Sequence, residues 1–344
     1  MLSTRRARID RAHPYRPSAP ARPGLCVAGL LLIVAAVLSA SGRPQSEADR
    51  SASGERLLQQ QTLVVGIMPA VDSIPLIVAE HLGYFAEEGV TVELELFRDQ
   101  LYREASLQAG RIDAAVSDLV NTIRSWANGA DYRAIASTNG LFGFVTSRSS
   151  GIATVADWPA APGLVETGLI DDSIVNYTAE RMLEAVGADP SRIRIVPTMQ
   201  IPVRLELVIS GGLQAAVLPE PLTRVAEAQG AYVIVESDVL ESTPGVILAT
   251  GDALRRKRDA LRALLRAYDR AVAEVNADPD RFRDVIAGAA GFPAPVAPVM
   301  RIPVFAAATV PDPATVDDVS RWMVQRGLVS RIPERDTIVD PLVE

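Results

Sequence analysis

Between residues 63 and 96 the spacing of apolar residues changes twice, and that change restricts the fold more than any other feature of the chain. Residues 63–68 form a short apolar run, which reads as a buried strand. Ile74, Ile77, Val78 and Leu82 then recur at helical spacing, and Gly83 stands where a helix stops. From Val90 the period falls to two: Val92, Leu94 and Leu96 alternate with Thr91, Glu93 and Glu95, as in a half-buried strand. Strand, loop, helix, strand is the opening of a doubly wound α/β lobe. It places loop 69–73 at the carboxyl end of the first strand, where open α/β sheets bind small ligands.

The same pattern continues. Helices are expected over 101–109 and 118–128, the latter capped by Ser117 or Asp118, with strands at 112–117, 132–138 and 142–147. A second lobe begins near residue 150, with a strand at 164–167 and a helix over 174–186 for which Asp171, Asp172 and Ser173 are all plausible caps. Strands at 193–197, 213–218 and 232–235 alternate with helices at 203–209 and 222–229. After a return strand at 246–249, one long helix (252–276) and shorter ones at 279–286 and 315–325 should brace the first lobe. The segment 107–116 also echoes 208–217 at an offset of 101, each a helix end, a glycine turn and a small-residue strand. Glycine turns before small-residue strands are common in any α/β protein, but an offset close to one lobe length favours two lobes of similar topology facing across a cleft. The expected organisation is lobe 1 at 62–147, lobe 2 at 148–245 and a return to lobe 1 at 246–344.

Residues 1–42 read as a secretory signal peptide: six arginines, an apolar run from Leu25 to Leu38, then small residues. Fourteen apolar residues are short for a membrane span, with an uncleaved anchor as the alternative. Cys26 stands at the start of that run, not at its end where a lipid-attachment cysteine belongs. Residues 43–61 read as a flexible spacer. Without the leader the chain is more acidic than its formal −8, which argues against nucleic acid and anionic membrane as partners. It would also hold no cysteine, hence no disulfide framework or thiolate chemistry.

Catalysis finds little to work with. His81 is the one histidine after the leader, no Gly-x-Ser-x-Gly elbow is present, and neither a calcium loop, a phosphate loop nor a dinucleotide fingerprint appears. No cofactor, metal or catalytic residue is expected. Binding is better supported, through loops at strand ends. In lobe 1 these offer Asp72, Ser73, Ser117, Asp118 and Asn139; capping is the plainer role of Asp72 and Ser73. In lobe 2 they offer Glu166, Thr167, Asp172, Ser173, Tyr177, Gln200, Arg204 and Glu220. Acidic loops on both sides favour a ligand with amine or amide donors, whereas Arg204 suits an anion.

These residues also carry a resemblance. Leu82-Gly83-Tyr84-Phe85-Ala86-Glu87-Glu88-Gly89-Val90-Thr91-Val92 resembles the GYF-x-x-EGL-x-V signature of ABC-transporter substrate-binding proteins of the nitrate/sulfonate/taurine and thiamine-pyrimidine-precursor type. Gly110-Arg111-Ile112-Asp113-Ala114, Ala215-Ala216-Val217-Leu218-Pro219-Glu220-Pro221 and the closing stretch 319–328 are similar to later motifs of that family. Gln214 stands where the family often has aspartate, and 163–172 lacks its glycine-serine loop, so the ligand is not carried over. The resemblance implies a two-lobed type II periplasmic-binding-protein fold, α/β, each lobe a mostly parallel sheet flanked by helices, with two crossover strands and hinges near 143–150 and 240–250. It implies a periplasmic, monomeric solute-binding component of an ABC importer, with a small-molecule ligand and a membrane permease as partners. A ligand-binding sensor docking on a receptor is the alternative, and an enzyme on the same fold is the remoter one.

Overall fold

The structure, a computed structural model, describes residues 62–292 and 296–342. The expected signal peptide and spacer lie outside the described residues. The chain enters through β1 (Thr62–Ile67), a 3₁₀ turn at Val71–Ser73, α1 (Ile74–His81), α2 (Tyr84–Glu87) and β2 (Thr91–Leu96). Gly83, at φ 75°, makes the left-handed turn between the two helices. Next come α3 (Gln100–Gln108), β3 (Ala114–Asp118), α4 (Leu119–Ala127) and β4 (Tyr132–Ser137). The middle of the chain holds β5 (Phe142–Thr146), β6 (Val165–Leu169), α5 (Ile174–Ala185), β7 (Ile193–Pro197), α6 (Ile201–Ser210), β8 (Ala215–Pro219), α7 (Leu222–Ala228) and β9 (Tyr232–Glu236). Then follow β10 (Gly245–Thr250), α8 (Gly251–Arg256), α9 (Arg258–Ala277), α10 (Arg283–Ala289), α11 (Pro313–Gln325) and α12 (Arg335–Ile338).

The strands form two sheets, ordered β2-β1-β3-β10-β4 and β7-β6-β8-β5-β9. In each, the strand beside the third member is reversed: β10 runs antiparallel to β3 and β4, and β5 antiparallel to β8 and β9. That reversed strand comes from across a crossing, so β5 pairs in the second sheet and β10 in the first. The chain crosses between sheets at 138–141 and 237–244, each crossing starting a few residues before the stretch expected from the sequence.

Side chains of the central strands alternate between cores, as a period of two requires. Ala114 and Val116 of β3 join the core under α1 and α9, while Ala115 joins the opposite core with Ile123, Trp322 and Met323. In the second sheet Ala215 and Val217 of β8 face Trp158 and α5, and Ala216 and Leu218 face α6 and α7. Trp158 is fully buried edge-on against Phe144, with ring centroids 5.4 Å apart.

The structure departs from the sequence reading in three places. The helix expected over 252–276 is two helices, because Lys257 leaves helical geometry (φ −125°, ψ 25°). There its ammonium donates to Thr62 O and Asp113 Oδ2, both at 2.8 Å, a long-range attachment that periodicity does not see. The strand read at 164–167 runs on to Leu169. Finally, the return segment does more than brace the first sheet, since parts of it reach the second.

Candidate ligand-binding site

In the first sheet the strand ends gather around Arg103, a buried guanidinium on α3. Its Nη1 donates to Val116 O (2.8 Å) and its Nη2 to Ser117 Oγ (3.2 Å), while Glu104 accepts from the same fork at 2.8 Å. Asp118 caps α4, accepting from Asn121 N at 2.7 Å, and Asn121 Nδ2 donates back to Ser117 Oγ. Asp72 and Ser73 lie in the 3₁₀ turn after β1. Ser73 stands at the N-cap of α1 without capping it; its hydroxyl donates to Met68 O instead, at 2.9 Å. Asp72 is anchored through its carbonyl, which accepts from Thr138 Oγ1 at 3.0 Å. Its carboxylate faces the first crossing, where Oδ2 is 3.8 Å from the position of a Cβ added at Gly140. Burial pushes Asp72 and Asp118 up to about 6, against the pull of Arg103 on both.

In the second sheet Ser173 caps α5, accepting from Val175 N and Asn176 N. Glu220 is 1 % exposed at the end of β8 and precedes a cis peptide to Pro221. Its Oε1 accepts from Arg301 N at 2.9 Å, and burial pushes it up to about 7. Gln200 holds the N-cap position of α6 without a side-chain cap, and Arg204 from the same helix is 1 % exposed. Glu166 and Thr167 do not join this group. Because β6 continues to Leu169, they lie in its first half: Glu166 pairs with Arg194 on β7, and Thr167 is enclosed, donating to Val165 O.

Asp172 and Tyr177 are engaged between the sheets. Asp172, in a left-handed turn at φ 53°, accepts through its carbonyl from Arg124 of α4, and both Asp171 and Asp172 face Arg326. Tyr177 OH donates to Asp318 Oδ2 on α11 at 2.8 Å, its ring edge-on to Trp322. Trp322 Nε1 in turn donates to Glu180 of α5 at 2.7 Å. Earlier in the same return segment, the Arg301 guanidinium pairs with Glu236 (3.2 Å) and Asp238 (2.6 Å). Between those ends, Val304 O accepts from Asn139 and Thr309 O from Ser137 N.

Two cavities adjoin the crossings. One, of about 480 Å³, is lined by both crossing segments, Arg301 and Val304, and includes Asn139. The other, of about 520 Å³, lies between Tyr177, Arg181 and α11. Neither includes Asp72, Asp118 or Glu220. Sequence reasoning passed over Arg103, although the offset of 101 relates it to Arg204; for Arg301 and Asp318 no local signal exists.

Two mixed α/β sheets, each lending the other a reversed strand and joined by two crossings, define the class: this is the periplasmic-binding-protein fold. The chain belongs to the NMT1/THI5-like family, whose model matches residues 70–282. Among solved structures it is similar to the ligand-binding component of an ABC-type import system from Staphylococcus aureus, at 16 % identity and TM-score 0.69, over 82 % of this chain and 97 % of that one. It is similar to the periplasmic aliphatic sulphonate binding protein SsuA of Escherichia coli at 18 % identity and TM-score 0.65, over 81 % and 92 %. The desulfurization enzyme DSZB also aligns, at 14 % identity and TM-score 0.60, over 82 % and 97 %. No curated protein matches the sequence.

Proposed function

We propose that the chain is the extracytoplasmic solute-binding component of an ABC importer, which captures a small organic molecule or anion between its lobes and delivers it to a membrane permease by hinge closure. One observation carries the reading: strand ends of both sheets present carboxyl groups, half-buried Asp72 and buried Asp118 from one and buried Glu220 from the other, beside the two crossings about which the lobes would turn. The family and the import-system and sulphonate-binding neighbours support it. Binding without catalysis is the reading favoured here, because the mechanism asks only for closure; the likeness to DSZB concerns the fold. No helix among the described residues is long and apolar enough to cross a membrane. Export through residues 1–42 and action as a monomer complete the proposal.

A thermal-shift panel of sulfonates, taurine, nitrate, thiamine-precursor pyrimidines and amino acids tests it. A ligand at a hundredfold excess over its dissociation constant adds about 2.7 kcal/mol, a shift of several degrees. Asp72→Ala and Glu220→Ala are expected to abolish that shift while leaving the protein folded. Wild-type affinity in both variants would sink the assignment of these residues.

A further inference from the structure

The two cavities at the crossings are neighbours. Both are lined by Leu240, Glu241, Ser242, Asp312 and Thr315, and on that shared wall the Ser242 and Thr315 hydroxyls are hydrogen-bonded to each other. The first cavity lies between the two crossings and the return segment, which touches the first crossing where Val304 O accepts from Asn139. Leu119, Leu141, Val304 and Val310 supply apolar wall. A space of about 480 Å³ with apolar walls and a few polar groups is of the size that holds a small molecule. The polar groups decide which kind.

Charge on the walls is unbalanced. Arg301, on the first cavity, is committed to Glu236 and Asp238, and Arg181, on the second, to Glu184 and Asp318. Glu241 and Asp312 line both cavities, and no cation among the described residues pairs with either. Asp312 caps α11, accepting from Thr315 N at 3.1 Å, whereas exposed Glu241 makes no hydrogen bond among the described residues. Ser237 makes a different demand. It is fully buried on the wall of the first cavity and accepts from Phe142 N at 3.0 Å, but its hydroxyl donates to nothing among the described residues. A buried donor without an acceptor is costly to a fold, and an oxygen on a ligand would satisfy it.

We propose that this cavity is a second ligand site, separate from the strand-end carboxyl groups, and that it takes a small amino alcohol. The ammonium lies against Glu241 and Asp312, the apolar body against Leu119, Leu141 and Val310, and the oxygen accepts from Ser237. The site goes beyond solute capture and does not depend on it, since Asp72, Asp118 and Glu220 line neither cavity.

The test titrates the full chain calorimetrically with 4-aminocyclohexanol, cyclohexylamine and the neutral 1,4-cyclohexanediol as probes. The amino alcohol is expected to bind tightest, cyclohexylamine more weakly, and the diol about tenfold or more below the amino alcohol. Glu241→Gln changes an exposed side chain, and Asp312→Asn keeps a residue that can cap α11. Each should weaken both amines about threefold or more and leave the diol unaffected. Ala306→Trp, which fills the cavity from an exposed position on its wall, should abolish binding of both amines. The proposal is overturned if the diol or cyclohexylamine binds as tightly as the amino alcohol, or if amine affinity is unchanged in Glu241→Gln or Ala306→Trp. A wild type that binds none of the three also overturns it, and solute capture then stands or falls separately on the wider panel above.

Discussion

The two lobes repeat one another down to an irregularity. The strand each receives across the crossings breaks register at the same place, between Ile247 and Leu248 in one sheet and between Phe144 and Val145 in the other. Ile247 and Phe144 face Val116 and Val217, again 101 residues apart. The supporting layers are unequal. Lobe 1 packs the returning helices α9, α10 and α11 over both faces of its sheet, whereas lobe 2 relies on α5, α6, α7 and the loop carrying Trp158. Charge is unequal too, since Arg103 of lobe 1 pairs with Glu104 and acts on Asp72 and Asp118, whereas Arg204 of lobe 2 pairs with no carboxylate among the described residues. A shared backbone plan thus fixes where groups project, while the residues set what each half attracts.

The thinner lobe should be the easier to break. Trp158→Ala is expected to cost about 3–5 kcal/mol, because the side chain is fully enclosed. With Trp322→Phe added, because Trp322 touches α5 of lobe 2, the remaining Trp126 reports on lobe 1, so urea unfolding followed by fluorescence should lag the transition seen by circular dichroism. Coincident curves would show that the lobes melt as one unit.

Next in size is Arg103→Met. Removing the cation leaves Glu104, Asp72 and Asp118 without their shared counter-charge and should cost about 3 kcal/mol in denaturant titrations. An equal loss in Arg204→Met would erase the contrast between the lobes.

The helix caps form a matched pair. Asp118→Ala and Ser173→Ala should each cost about 1 kcal/mol, read from the shift in urea midpoint. A much larger loss at Asp118 would mean that its charge, as well as its cap, holds lobe 1 together.

The lobes differ in pH dependence as well. Asp72 and Asp118 hold their protons more tightly folded than unfolded, titrating at about 6 instead of the usual 3.8, so folding takes up protons between those values. Their contribution to stability is therefore greatest below about pH 4 and falls as pH rises towards 6; Glu220 extends the decline to about 7. Asp118→Asn should flatten part of this slope in melting temperatures measured from pH 4 to 7. An unchanged slope would assign the dependence to other groups.

Local pattern carried most of the fold. Alternation at Val92, Leu94 and Leu96 and the helical spacing around Ile77 located the opening unit, and Asp118 caps the helix that it was expected to cap. Periodicity identifies a face but not a neighbour, so the sheet that β5 joins was not legible from it. Nor was the break at Lys257, whose partners Thr62 and Asp113 lie more than a hundred residues away. Of the candidate site, capping chemistry located Ser173 and Asp118 as helix caps, whereas a strand end placed too early put Glu166 and Thr167 in a loop where β6 in fact continues. Arg103 needed the repeat to be carried beyond its glycine turn into the preceding helix.

The return segment meets lobe 2 at Glu220, Glu236 and Asp238 through Arg301, touches both crossings, and meets lobe 2 again at Tyr177 and Glu180 through α11. In mechanical terms it is a splint laid along a joint and tied beyond it at both ends. Rotation of one lobe against the other must lengthen or break these ties, and most are contacts to charged side chains near the surface. The stiffness of the joint is then largely electrostatic, so the ionic strength around the protein becomes a setting of the device, loosening it as the charges between its ties are screened.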